Sequence, residues 1–499
     1  MAKYIGPVLR TWKLTLEVDP SSSVPLFVQL ARAVIRDIER GRLSPGDALP
    51  GTRALAVSLG IHRNTVDAAY RELVQQGWAC AEPSRGTFIS QALPVATPKG
   101  FGGSPRQRMP ARPGFSLPRE ELSLEGGAPA PKKGVLVFND GAPDVRLAPA
   151  VALSRAFRRV LTGRARTALG VGDARGEPGL REALAGMLSR TRGLAAGADD
   201  VLVTRGSQMA LFLVARALLR PGDVVAVEAL GYRPAWDALR LAGARLVGLP
   251  VDAQGMRVDA LQALMAKQPV RAVYVTPHHQ YPTTVTLTAA RRMELLRLAT
   301  EACVAVVEDD YDHEFHYEGR PVLPLASSDR AGCVVYVGSL SKLVAPGLRL
   351  GYVVAPAPLV RTLSVLRTVV DRQGDAPLER AMVELLEEGE LQRHARRARR
   401  EYLTRRDALA EALHEALGGS VDFEVPAGGL ALWARVDESL DVSAWAERAA
   451  SHGVHVTPGH AFALEGRGPA AFRLGFASLT PQELREGVRR LALARPRRS

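Results

Sequence analysis

Cysteine is scarce in this chain: Cys80, Cys303 and Cys333 stand far apart among 499 residues. That spacing supplies neither a disulfide framework nor a CxxC metal pair, and it suits a reducing, cytoplasmic setting. Aromatic side chains are also few, at 5%. No apolar run reaches the roughly 18 residues of a membrane span, and the opening MAKYIGPVLR lacks the unbroken apolar core of a signal peptide. No repeat of 20 to 50 residues breaks the chain into an array. What the sequence does have is positive charge, +13 formally, but it divides as +3, +4 and +6 over residues 1–90, 91–134 and 135–499. So diffuse a surplus argues only weakly for nucleic acid.

The length predicts roughly two to four domains. Between 91 and 134, Pro, Gly, Ser and Arg gather without helix or strand period, as in PKGFGGSPRQRMPARPG. Such a stretch predicts a flexible linker, too long to sit inside one compact domain. It separates a small unit, residues 1–90, from a large one, 135–499.

In the small unit Leu26, Leu30, Val34 and Ile38 recur every four residues, which predicts one apolar helix face ending near Gly41. A short helix is expected over Thr52–Leu59, a turn at Gly60, and a third helix opening at Asn64-Thr65. The third helix would turn Val66, Ala69, Tyr70 and Leu73 inward and Arg63, Asp67 and Arg71 outward. Two short strands joined at Pro83-Ser84-Arg85 would follow as a wing. This pattern, carried by PLFVQLARAVIRDIERGRLSPGDALPGTRALAVSLGIHRNTVDAAYRELVQQGWACAEPSRGTFI, resembles the winged-helix domain of the GntR family of bacterial repressors over residues 24–90. The resemblance implies that Arg53, His62, Arg63, Asn64 and Thr65 face double-stranded DNA, with Arg85, Gly86 and Thr87 at the wing tip. The chemistry agrees, since helix N-termini and hydroxyls bind phosphates and a leading arginine can reach guanine O6 and N7. Gly51 stands where that family commonly has serine, which puts one cap or backbone contact in doubt.

The large unit alternates strand-like runs (Val201–Thr204, Val224–Glu228, Arg245–Leu249, Ala272–Thr276, Ala305–Glu308, Val334–Val337) with helical patterns such as Ala289–Cys303. That predicts an α/β fold with a largely parallel sheet, whose ligands collect at the carboxyl ends of the strands.

The chemistry-bearing residues fall at those ends. In GSLSKLVAPGLRLGY, Ser339, Ser341, Lys342 and Arg349 put a nucleophilic amine among phosphate-binding hydroxyls and a guanidinium, as a pyridoxal 5'-phosphate site requires. An exposed loop lysine is the plain alternative. Gly206 permits a tight turn, and the amides of Ser207 and Gln208 open a helix, a ready anion site. Tyr232 could cover a pyridine ring. In VVEDDY an extended strand places Asp309 and Tyr311 on one face, so Asp309 is expected at the pyridine nitrogen and Tyr311 at the phenolic oxygen, with Asp310 as the fallback. Arg473, alone in the apolar run FRLGF, needs an anion, either a substrate carboxylate or a distant Asp or Glu.

In this order and spacing the segments resemble a fold-type I aminotransferase, and with the winged helix ahead they resemble the MocR family of transcriptional regulators. The resemblance covers nearly the whole chain. It implies a smaller α/β subdomain over about 370–499, a Schiff base on Lys342, phosphate held by Ser207, Gln208, Ser339, Ser341 and Arg349, and Tyr232 stacked on the ring. Arg473 would grip an effector's carboxylate, and the chain would form a head-to-tail homodimer. Val171 stands where related chains carry a tyrosine that reaches the neighbouring subunit's phosphate, so that contact is expected to be missing. In TPHHQYPTTV the asparagine of the aminotransferase NPTG motif is absent, and Gln280 and Tyr281 precede Pro282. Adjacent His278 and His279 are expected to point apart without a third ligand, so no metal is expected. The helix HARRARREYLTRRDAL, from His394, reads as a solvated or interface face. Two functions follow: a regulator that senses an amino compound, or pyridoxal phosphate itself, by aldimine exchange at Lys342; or a working aminotransferase with an accessory DNA-binding domain.

Overall fold

A computed structural model describes residues 18–19, 22–94, 114–116, 134–163, 165–319, 322–466 and 468–496. Most of the linker expected at 91–134 lies outside them. The chain divides into two compact units, Met1–Glu121 and Leu122–Ser499.

The first unit holds α1 (Leu26–Glu39), α2 (Thr52–Leu59), α3 (Arg63–Gln75) and the antiparallel strands β1 (Ala79–Glu82) and β2 (Gly86–Ile89). The four-residue apolar spacing of α1 buries Leu30, Val34 and Ile38 against Leu55, Val66 and Leu73. Each such side chain contributes about 1.5–3 kcal/mol through lost contact with water. Gly60, with φ of 64°, ends α2 in the left-handed region that glycine enters without steric cost. The imidazole of His62 then caps α3, its Nδ1 accepting the Asn64 amide at 3.2 Å. The Tyr70 hydroxyl ties α3 to the preceding loop by donating to the Pro50 carbonyl at 2.8 Å. The helix-turn-helix and wing expected from the sequence are therefore present, their edges within two residues of expectation.

The second unit is built on seven strands: β3 (Val201–Thr204), β4 (Val224–Glu228), β5 (Arg245–Leu249), β6 (Ala272–Val275), β7 (Ala305–Asp310), β8 (Val334–Ser339) and β9 (Gly351–Val354). Their order across the sheet is β3-β9-β8-β7-β6-β4-β5, with β9 antiparallel to both neighbours and the other pairs parallel. Val201–Thr204 and Val224–Glu228 are buried along their whole length, which is why they read as continuous rather than alternating apolar runs. Helices that follow the strands include α4 (Gly206–Leu218), α5 (Arg233–Leu241) and α6 (Ala289–Ala302). The later chain forms α7 (Glu390–Leu417) and a second, antiparallel sheet of four strands, Val421–Asp422, Ala431–Val436, Ala471–Gly475 and Thr457–Pro458.

One expectation about α7 is corrected. Its arginines do not form a uniformly solvated face: Arg405 and Arg406 are buried, Arg405 pairs with Asp144 at 2.9 Å, and Arg406 with Glu318 at 2.6 Å. Arg396, Arg397 and Arg400 remain exposed. The helical period decides this, because positions 402, 405, 406 and 409 share a stripe facing the core.

Candidate functional site

A cavity of about 280 Å³ opens at the carboxyl ends of the parallel strands, lined by residues from seven separate segments that include Ser207, Tyr232, Asp309, Tyr311, Ser339, Ser341, Lys342 and Arg349. These eight were expected from the sequence to meet. The topology brings them together: β9 lies between β3 and β8, so the turn that opens α4 at Gly206 and the turn holding Lys342 are two strands apart.

At the phosphate end, Gly206 has φ of 78°, and a Cβ there would meet Arg349 Nη2 at 2.9 Å. Glycine lets the guanidinium lie across the helix start. Arg349 itself is left-handed at φ 49°, a conformation that aims its side chain back over the turn. Ser339 Oγ accepts the Ser341 amide at 3.2 Å, and Ser341 Oγ accepts the Leu350 amide at 3.3 Å. Gln208 contributes its place in the first turn of α4 but not its side chain, which donates to the Pro234 carbonyl at 2.7 Å.

At the other end stands Asp309. Alternation along β7 turns it into the cavity and turns Asp310 to the opposite face, where Asp310 Oδ2 accepts the Tyr336 hydroxyl at 2.6 Å and pairs with Arg192 at 3.7 Å. Asp309 Oδ2 accepts the Tyr274 hydroxyl at 2.9 Å, while Oδ1 is buried with no partner among the described residues. Burial pushes the Asp309 carboxyl up to about 7, the neighbouring charges of Asp310 and Asp312 adding to it. Tyr232 caps α5 and meets Tyr281 edge to face at 5.4 Å, and burial raises its phenol to about 12. Tyr311 donates its hydroxyl to the His279 carbonyl at 2.9 Å. Lys342 Nζ donates to the Gly141 carbonyl at 2.9 Å.

Arg473 lies one layer behind the wall. It is buried, its guanidinium 4.5 Å from the ring centroid of cavity-lining Tyr281, and it donates to the carbonyls of Pro282 at 2.6 Å and Asp140 at 3.2 Å. No carboxylate lies within ion-pair distance of it among the described residues, so the distant salt bridge that the sequence left open is not formed. Gln280 faces away from the cavity, donating to the Leu230 carbonyl and accepting from Thr283. Val171 is 89% exposed.

Sequence reasoning missed Asp140, Tyr274 and Thr276. Tyr274 carried a usable signal, since alternation along AVYVT sets it level with Val307 of the neighbouring strand, on the same face as Asp309 two residues on. The expectation for His278 and His279 is corrected: their ring centroids are 4.3 Å apart, and the His316 ring lies 5.8 and 6.1 Å from them. The bend after β6 folds the two rings to one side, and the loop after β7 delivers the third.

In the first unit the residues expected at DNA fall at the starts of α2 and α3 and at the turn between β1 and β2. Arg53 sits in the first turn of α2, exposed; His62, Arg63 and Asn64 stand exposed at the start of α3 beside half-buried Thr65; Arg85 and Gly86 are exposed, with half-buried Thr87 beside them.

Residues 133–491 match the family model described as aminotransferase class I and II, and residues 26–89 match bacterial regulatory proteins, gntR family. The chain is 33% identical over 488 residues to the HTH-type transcriptional regulator TauR of Rhodobacter capsulatus, covering 95% of this chain and 97% of that one. It is 29% identical over 486 residues to the probable rhizopine catabolism regulatory protein MocR of Rhizobium meliloti, covering 96% and 95%. Among solved structures, LysN, an alpha-aminoadipate aminotransferase from Thermus thermophilus complexed with N-(5'-phosphopyridoxyl)-L-leucine, superposes with a TM-score of 0.68 at 31% identity, covering 72% of this chain and 92% of that one. The large unit is thus a fold-type I aminotransferase domain. With its GntR winged helix, the chain belongs to the MocR-type regulators, and its cofactor is pyridoxal phosphate.

The residues present fit that group. An orphaned buried carboxylate oxygen faces the cavity at Asp309, and a glycine cradle sits where the phosphate would lie. Lys342 supplies the amine between them.

Proposed function

We propose that this chain is a DNA-binding regulator whose occupancy of an operator responds to an amino compound, or to pyridoxal phosphate itself, bound in the cavity around Lys342. The observation that carries the reading is the joining, in one chain, of a winged helix with exposed Arg53 and Arg63 and a cavity lined by Lys342, Asp309, Ser339, Ser341 and Arg349. Residues 1–90 would hold DNA, 91–134 would link, and 135–499 would sense, in a cytoplasmic head-to-tail homodimer.

When bound, pyridoxal phosphate supplies an aldehyde that condenses with primary amines and a ring that withdraws electrons. The chain's own residues do the rest. Ser207, Ser339, Ser341 and Arg349 bind the phosphate through hydroxyls, a helix N-terminus and a guanidinium, with Gly206 and Gln208 shaping that helix start. Asp309 would hold a proton at the ring nitrogen, Tyr311 would orient the ring oxygen, and Tyr232 would cover the ring and exclude water. Lys342 would supply the amine for that aldehyde, and an effector amine would compete with it there. Arg473, without a carboxylate in ion-pair contact among the described residues, would hold the effector's carboxylate. An effector controls DNA only if it binds one arrangement of the protein more tightly than the other.

A footprint on the chain's own upstream DNA, with and without cofactor and candidate amines, tests the reading. Protection that no amine or cofactor alters would overturn it. The likeness to LysN supports the second reading, a working aminotransferase with an accessory DNA-binding domain. Steady-state transamination over a panel of amino acids separates the two.

A further inference from the structure

Behind the cofactor cavity, four imidazoles meet in one buried place. His278 and His279 follow β6, while His313 and His316 follow β7. The ligand nitrogens of His278, His279 and His316 all lie within 4.8 Å of one another. We infer that His278, His279 and His316 form a binding site for a transition-metal dication of the zinc class, with Asp312 as its outer carboxylate.

Three observations support this independently of the cofactor assignment. First, His278 is only 4% exposed, yet neither of its ring nitrogens has a hydrogen-bond partner among the described residues; His316 Nδ1 and Asp312 Oδ2 are likewise buried and unpartnered. Buried polar atoms are rarely left so, because each forfeits a hydrogen bond to water. Second, Asp312 Oδ1 lies 2.8 Å from His279 Nδ1. A carboxylate on one nitrogen of an imidazole orients the ring and leaves the other nitrogen to the metal, the usual outer arrangement of histidine-ligated zinc. Third, a Cβ on Gly428 would stand 2.4 Å from His279 Nε2, so only glycine leaves that ligating nitrogen room.

The electrostatics are consistent. The Asp312 carboxylate offsets part of a dication's charge, and imidazole is a ligand suited to Zn, Cu and Ni rather than to Mg or Ca. Tetrahedral Zn–N bonds of about 2.0 Å set nitrogens roughly 3.3 Å apart, so small side-chain rotations close the present triangle. Three protein ligands leave a fourth position for water or His313. Because Tyr311 donates to the His279 carbonyl, an occupied site would also fix the strand-end loops that wall the cofactor cavity.

The test uses the tag-free full chain, loaded with its cofactor, treated with a chelator and then titrated with Zn(II) by calorimetry and with Co(II) by visible absorbance. The expected result is one equivalent per chain and the ligand-field bands of a tetrahedral, nitrogen-bound Co(II). His278→Ser and His316→Gln should each abolish stoichiometric binding. Asp312→Asn should weaken it roughly 10- to 100-fold, and exposed His455→Gln should leave it unchanged. Wild-type protein that binds neither ion overturns the proposal, as does a His278→Ser/His316→Gln double variant that still binds one equivalent. If the variants fail to fold, the Co(II) spectrum of the wild type decides alone: bands of an octahedral, oxygen-bound ion overturn the assignment.

Discussion

Tyr274 and Asp309 stand on adjacent parallel strands and share one hydrogen bond, phenol to Oδ2 at 2.9 Å, which leaves Oδ1 free toward the cavity. The pair makes a proton-holding wall. Folding raises the Asp309 carboxyl from its ordinary 3.8 to about 7, chiefly by burial. A carboxyl raised in this way binds its proton better in the folded chain, so its stabilising effect is full below about 3.8 and is lost as pH rises through about 7. Cofactor-free protein should therefore lose stability across that window, by up to about 4 kcal/mol from this group. Chemical denaturation at several pH values should show a shallower loss in Asp309→Asn; an identical slope would remove Asp309 as the cause.

Lys342→Ala should purify without the visible absorbance of bound cofactor. Its amine is held 2.9 Å from the Gly141 carbonyl at the cavity wall, and no other lysine lines that cavity. A spectrum identical to wild type would show that the cofactor attaches elsewhere.

Gly351→Ala should both destabilise the large unit and weaken cofactor binding. The added Cβ would stand 2.7 Å from Gly206 C and 2.9 Å from Ser207 N, both backbone atoms that cannot swing away. A cost of about 1–3 kcal/mol is expected from overpacking. Thermal melts and cofactor titrations check it together, and unchanged affinity for cofactor would argue that the helix start does not hold the phosphate.

Arg63→Ala should weaken specific DNA binding by about 1–3 kcal/mol if this exposed residue reads a base. Anisotropy against operator and scrambled duplexes measures it. Selectivity retained in full would contradict the placement of α3 in the major groove.

Six of the seven strands of the large sheet were legible, most of them as apolar runs buried on both faces, whereas the antiparallel β9 was not expected and edge strand β5 is only partly buried. Asp309 was legible for a different reason: period-two alternation alone sends it and Asp310 to opposite faces. Asp140 was not, since only the closed fold returns that segment to a cavity whose other walls begin 67 residues later at Ser207. The imidazole cluster was hidden in the same way. His278 and His279 look divergent in an extended chain, and His316 reaches them only because β6 and β7 pair in parallel and both end at the same edge.

Strand β9 enters the sheet between the segment that begins the phosphate turn and the segment that ends in Ser339. Two strand spacings, about 10 Å, therefore fix the span between the anchor for the phosphate and the amine for the aldehyde. The register of one four-residue strand sets both. A change that shifts the backbone of Gly351 would therefore move both turns together, because Gly351 lies against Gly206 and Ser207 and pairs with Ser339.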